Sequence, residues 1–78
     1  MLNWNFKFER GEYRHTALVP MGKNVTWKFE ITEYHEYNEL RIVDGYGQHR
    51  PTARSKFHTM SEAKKAALDF YKEYLEPV

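Results

Sequence analysis

Between residues 25 and 32 every second side chain is large and apolar: Val25, Trp27, Phe29 and Ile31 are interleaved with Thr26, Lys28, Glu30 and Thr32. Successive side chains of a strand point to opposite faces, so this period of two specifies a strand with one buried and one solvated face. Trp4, Phe6 and Phe8, separated by Asn5 and Lys7, repeat the pattern and predict a first half-buried strand. Strands of this kind belong to antiparallel sheets, which meet a core on one side and water on the other. The turn residues fall between them. Arg10-Gly11-Glu12 suits a hairpin before a second strand over residues 13–19, and Pro20-Met21-Gly22-Lys23-Asn24 predicts the next reversal, since Pro and Gly sit poorly in a ladder. Residues 40–43 form a fourth strand ending at Asp44-Gly45-Tyr46-Gly47, where Asp-Gly favours positive φ. Residues 53–58 are expected as a fifth, with Ala53, Ser55 and Phe57 on one face and Arg54, Lys56 and His58 on the other. The segment 34–39 reads either as an extension of the third strand or as a polar hairpin loop.

The last quarter changes period. Thr59-Met60-Ser61-Glu62 has the spacing of a capping box, with Thr59 as N-cap and Glu62 reaching back. Ala63, Ala66, Ala67, Phe70, Tyr71 and Tyr74 then fall on one side of a helix over about residues 60–75, with Lys65, Asp69, Lys72, Glu73 and Glu76 opposite and Pro77 as the stop. The expected fold is α+β: a four- to five-stranded antiparallel sheet packed on one face by a single C-terminal helix. With 78 residues there is room for one domain, residues 1–78, and one core. The 2 Trp, 6 Tyr and 5 Phe compensate for the short chain, and the absence of Cys leaves packing alone to hold it. One helix is narrow beside such a sheet, so a strand face carrying Tyr13, Tyr34, Tyr37 or Tyr46 is expected to stay partly open.

Little in the chain suggests catalysis. His15, His35, His49 and His58 are scattered without metal-ligand spacing, Ser55 and Ser61 lack a nucleophile-elbow context, and Gly45-Tyr46-Gly47 is not followed by a helix start that would cradle phosphate. No enzymatic activity, cofactor or metal is therefore expected. No apolar leader and no stretch long enough to span a bilayer is found, so a soluble cytoplasmic protein without membrane contact is the expectation.

Charge is more informative along the chain than in total. The formal net charge is +1, short of the strong basic excess that marks a generic polyanion binder. Yet Glu30, Glu33, Glu36, Glu39 and Asp44 form an acidic block relieved only by Arg41, while Arg50, Arg54, Lys56, Lys64 and Lys65 form a basic block opposed only by Glu62. An acidic, Tyr-bearing surface made of Glu30, Glu33, Tyr34, Glu36, Tyr37 and Glu39 suits a protein partner, because Tyr combines contact area with a polar tip and the carboxylates supply charge complementarity. The basic set, with Tyr46 or Phe57 for stacking, suits nucleic acid instead.

The junction Phe57-His58-Thr59-Met60-Ser61-Glu62-Ala63-Lys64-Lys65-Ala66-Ala67 resembles the strand-to-helix ending of many small phage and prophage proteins. Trp4, the Ala17-x-x-Pro20-x-Gly22 stretch and the aromatic strand of Trp27, Phe29 and Ile31 extend the likeness to the N-terminal half. Proteins of that type with known roles tend to be inhibitors of host machinery, including anti-CRISPR and other anti-defence proteins, and act by binding. The resemblance implies a non-enzymatic phage-type protein that inhibits or modulates a host protein or nucleoprotein complex in the host cytoplasm. Residues 25–75 are also similar to the AP2-like arm-binding domains of phage integrases, three strands and a helix that read DNA with the sheet. That likeness implies DNA contacts from Arg41, Arg50, Arg54 and Lys56, with Lys64 and Lys65 of the basic block beside them. The double-stranded RNA-binding domain also ends in a strand and a Lys-Lys-bearing helix, comparable to residues 61–68, but begins with a helix that this chain lacks. A homodimer through an exposed first or fifth strand is a further expectation.

Overall fold

The computed structural model describes residues 2–76. Four antiparallel strands follow one another across the sheet: β1 (Asn5–Glu9), β2 (Glu12–Gly22), β3 (Val25–Glu33) and β4 (Asn38–Val43). The far edge of β4 is shared by two short pieces, β5 (His49–Arg50) beside Ile42 and Val43, and β6 (Lys56–Phe57) beside Asn38 and Glu39. Helix α1 (Met60–Phe70) continues into a π-helical turn, Tyr71–Leu75, and packs on one face of the sheet. The fold is thus α+β with an antiparallel sheet and one C-terminal helix, as the two periods require. Pro77, expected to end the helix, lies outside the described residues.

Register explains which alternating set is buried. Ala17 faces Phe29, which faces Ile42, and His15 faces Ile31, which faces Leu40. These residues share the inner face, where Ala17, Phe29, Ile31, Leu40 and Ile42 meet Ala63 and Ala67 of α1. The two helix alanines are fully buried; their small side chains let the helix axis approach the sheet, and Phe70 fills the space beyond them, edge-on to Phe29 with ring centroids 6.0 Å apart.

Several boundaries depart from expectation. The fifth strand is not continuous: Pro51, which has no N–H to give a ladder, follows β5, and the chain rejoins β4 only at Lys56, leaving Ala53 exposed while Phe57 is buried as expected. The reversal expected across residues 20–24 is shorter. β2 runs through Pro20 to Gly22 with a register shift between them, and only Lys23 and Asn24 turn, Asn24 taking φ 63°. β1 reaches only to Thr16, so Pro20 lies where β2 is an edge strand beside a register shift, a position that tolerates a missing N–H. Residues 34–37 are a loop, closed by Tyr34 N–H donating to the Tyr37 carbonyl at 2.8 Å, while Asn38 and Glu39 begin β4. In the Asp44–Gln48 turn the positive φ falls on Gly47 (81°) and not on Gly45; Gly45 is needed because a β-carbon there would collide with Cγ1 of Val25.

The helix start follows the sequence closely. Thr59 is extended, its Oγ1 accepts from the Glu62 N–H at 3.1 Å, and its hydroxyl donates to the Glu62 carboxylate at 3.1 Å. Thr59→Ala is expected to cost roughly 1 kcal/mol of stability, read as a shift in the denaturation midpoint; an unchanged midpoint would contradict this role. The helix end differs. Tyr74, expected inward, is 64% exposed, and Leu75 is buried instead. Glu76 N–H bonds to the Tyr71 carbonyl five residues back at 2.8 Å, and this widened turn carries the inward position one residue further along the chain.

Candidate functional site

A single helix covers only part of a sheet this wide. α1 contacts β3, β4 and β6, so the inner face of β1 and the start of β2 extend past it. That strip holds Phe6, Phe8, Tyr13 and His15, paired across the hairpin as Phe6–His15 and Phe8–Tyr13. The rings pack on one another, Phe8 on Tyr13 at 4.6 Å and Phe6 on His15 at 5.0 Å between centroids, and His15 Nε2 lies 2.8 Å from a Glu33 carboxylate oxygen. Phe6 and Phe8 nevertheless remain 58% and 57% exposed. The expectation of a first strand half-buried on this face therefore fails at Phe6 and Phe8: alternation assigns their face correctly, but among the described residues no helix packs on that part of it.

The acidic stretch is divided by the same alternation. Glu30 and Glu39 lie on the open outer face, Glu30 opposite Arg41 and Glu39 opposite Lys56. Glu33 points to the inner face and holds His15. Tyr34, His35, Glu36 and Tyr37 make the connecting loop, in which the Tyr34 and Tyr37 rings pack at 5.1 Å. The β1–β2 turn reaches the same end of the sheet, because Tyr13 pairs with Glu33 and this sets Glu12 beside Tyr34. Partial burial, followed by the Glu12 and Glu39 carboxylates, raises the Tyr34 phenol above its ordinary pKa. A phenol is neutral at neutral pH even at its ordinary pKa, and the Tyr34 hydroxyl can donate a hydrogen bond. Glu12, Glu36 and Glu39 with Tyr34 and Tyr37 form one acidic, Tyr-bearing end, in which Arg14 is bonded to Glu12 at 2.7 Å and Lys56 stands opposite Glu39. Glu30 stands apart from it, and Glu33, at the same end, is turned to the inner face.

The six basic residues do not form one patch. Arg41 and Lys56 lie on the outer face among carboxylates, and the Lys56 ammonium sits 4.8 Å from the centroid of the Tyr37 ring. Arg50 is bonded to Asp44 at 2.9 Å, and Arg54 lies over the Phe57 ring at 4.8 Å. On the helix, Lys64 stands 5.8 Å from the centre of Trp4 and Lys65 is 3.0 Å from Asp69. The position of the two lysines near the unfavourable end of the helix dipole is thus balanced by an aromatic face and a carboxylate. The outer face itself is a mixed lattice, with Lys7 against Glu9, Arg14 against Glu12 and Lys28 against Glu30.

A groove of about 390 Å³ runs between α1 and residues 51–57, lined among others by Arg54, Phe57, Asp69, Phe70, Glu73 and Tyr74. No histidine lines it, and its Thr52 hydroxyl already donates to the Arg54 carbonyl at 2.8 Å. Among the described residues, no cluster of three or more His, Asp or Glu side chains is arranged to hold a metal ion, and no helix is long and apolar enough to cross a membrane.

Phe6, Phe8 and Glu12 are the surface residues that sequence periodicity misassigned or passed over. The available signal was the ratio of one helix to several strands, which shows that some inner-face aromatics stay open without showing which. No protein-family model, curated protein or solved structure matches the chain.

Proposed function

We propose that this chain is a non-enzymatic binding protein that engages a basic surface of a host macromolecular complex, in the manner of small phage-type anti-defence inhibitors, through its acidic, Tyr-bearing end. The observation that carries the reading is the placement of Tyr34 and Tyr37 together at the sheet end, bordered by Glu12, Glu36 and Glu39. Tyr pairs are common interface anchors because each ring brings area at small entropic cost while its hydroxyl satisfies a polar partner. The surrounding carboxylates steer a basic surface toward them and reject an acidic one. The groove along α1 supplies no nucleophile beside a base, so it adds nothing to a catalytic reading.

The test is affinity capture from bacterial lysate with the wild-type chain and two variants. A stoichiometric protein partner is expected, with capture reduced about tenfold or more by Tyr34→Ala or by Glu36→Lys/Glu39→Lys, and unaffected by Arg54→Ala/Lys65→Ala, which lie away from the Tyr pair. Capture lost only in the arginine–lysine variant, together with salt-sensitive binding of purified protein to duplex DNA, would replace this reading with the integrase-like one.

A further inference from the structure

The geometry points to β1 as a site for strand addition by a second copy of this chain, with the two β1 strands antiparallel about a two-fold axis at Lys7. Arg10 and Gly11 have φ 54° and 80°, so Glu9 and Glu12 flank a two-residue loop of type I′. The turn bond joins the Glu9 carbonyl to the Glu12 N–H, which makes Glu9–Glu12 a hydrogen-bonded pair. Antiparallel pairs alternate, so Lys7–Arg14 and Asn5–Thr16 are also hydrogen-bonded, while Phe8–Tyr13 and Phe6–His15 are not. The backbone N–H and C=O of Phe6 and Phe8 therefore face away from β2, out of the sheet edge.

Among the described residues β1 has no strand on its outer side along its whole length; β2 beyond Thr16 is also without a neighbour there, but that stretch carries Pro20 and a register shift. At the opposite side β5 and β6 occupy much of β4, and Leu40 N–H is taken by the Ser55 carbonyl at 2.7 Å. The free ladder groups thus coincide with the exposed aromatic strip. A strand added to β1 pairs its backbone with Phe6 and Phe8 and sets its side chains beside their rings.

Three two-fold registers bring the outward-facing residues of both chains together, centred on Phe6, Lys7 or Phe8. Centring on Phe8 runs the partner strand into Arg10, which is turned out of the strand by its positive φ. Centring on Phe6 draws in Trp4, which lies outside β1 and against Lys64 of α1. The Lys7 axis uses all five residues of β1. It pairs Phe6 with the other copy's Phe8 on both sides of the axis and forms four backbone hydrogen bonds.

Charge is compatible with this pairing. A lone edge lysine discourages association where it meets its like, but here Glu9 lies on the same face, 3.1 Å from Lys7. The axis then gathers two lysines and two glutamates, each lysine diagonal to the other copy's Glu9 and within reach of its side chain. The antiparallel arrangement also keeps the two acidic Tyr-bearing ends apart.

Size sets the strength. With Phe6, Phe8 and Tyr13 58%, 57% and 48% exposed, about 300 Å² of aromatic surface is open on each copy. Twice that falls short of the roughly 1,200–2,000 Å² of a stable interface, so the dimer is reversible and concentration-dependent.

The chain has no cysteine, which allows a register-specific test on purified protein. Lys7 lies at a position whose Cα–Cα spacing across the axis is about 4.5 Å, within disulfide reach. Asn5 is separated from its own counterpart by about 13 Å. Under mild oxidation Lys7→Cys is expected to cross-link to dimer at least about tenfold faster than Asn5→Cys or Glu9→Cys. Adding Phe8→Pro, which removes an N–H directed away from β2 together with one ring of the exposed strip, is expected to abolish that preference while the circular dichroism spectrum is retained. Sedimentation of the wild-type chain is expected to show mass rising toward the dimer with concentration. Equal cross-linking rates for the three variants, faster linking at Asn5 or Glu9, or a wild-type chain that stays monomeric at millimolar concentration overturns the proposal. None of these readouts involves a host partner, so the acidic-end reading stands or falls separately.

Discussion

Phe29→Ala is expected to lose roughly 3–5 kcal/mol of stability, the largest effect of any single truncation in the sheet. Phe29 is fully buried, lies between Ala17 and Ile42 in register, and meets Phe70 edge-on. Its neighbours on both sides are themselves fixed by strand pairing, so the cavity cannot collapse. A chain of this length has only roughly 4–12 kcal/mol of total stability, at about 0.05–0.15 kcal/mol per residue. The variant is therefore expected to unfold at much lower denaturant, or to be largely unfolded in buffer. Phe8→Ala removes the same side chain from the same face of the sheet and is expected to cost less than about 1 kcal/mol, because no helix packs over it. Equilibrium denaturation followed by tryptophan fluorescence separates the two cases. Equal losses would mean that Phe8 belongs to the core and that the strip on β1 is not a free surface.

That contrast marks how far the sequence could be read. Alternation placed Phe6, Phe8, Phe29 and Ile31 on one face, and the Thr59–Glu62 spacing located the helix start, because both signals are local and each is set by backbone geometry. Coverage is not local. Whether an inward-facing ring is buried depends on where α1 lies across the sheet, and that is decided by the fit of Ala63 and Ala67 against β3 and β4, far from Phe8 in sequence. The same gap separates the acidic block from the acidic surface. Glu33 and Glu36 are three residues apart, yet one is turned inward to His15 while the other stands on the loop, and Glu12, absent from the block, joins the surface through strand register. The exchange of Tyr74 for Leu75 has another origin: a one-residue widening of the last turn, which a fixed helical period does not describe.

Asp44 connects stability to pH with a definite sign. Its side chain is almost wholly buried at the end of β4, where Oδ1 accepts the backbone N–H groups of Tyr46 and Gln48 at 2.9 and 3.0 Å and Oδ2 accepts from Arg50 Nε at 2.9 Å. The Gln48 N–H bond, with the Tyr46 bond and the Arg50 charge, outweighs the opposing effect of burial and lowers the carboxyl below its ordinary pKa. Because the folded value is depressed, the stability this group contributes is fully present above the unfolded value of about 3.9. It is lost as pH falls from there through the lower folded value, since the unfolded chain takes up the proton first. Asp44→Ala leaves two backbone donors and a guanidinium without their acceptor, and is expected to lower the denaturation midpoint well beyond the exposed control Asp69→Ala. Asp44→Asn keeps one acceptor for the two backbone N–H groups but removes the charge and the acceptor for Arg50: the wild type is expected to be more stable by a constant margin at neutral pH, with the margin narrowing only in acid below about pH 4. A margin that is flat into acid, or that widens there, would contradict the assignment. The consequence extends to the inner face, because the bond to Asp44 holds Arg50 there, 5.9 Å from the centre of the Trp27 ring. Protonating Asp44 therefore loosens the turn, the β5 pairing and the contact of Arg50 with Trp27 together.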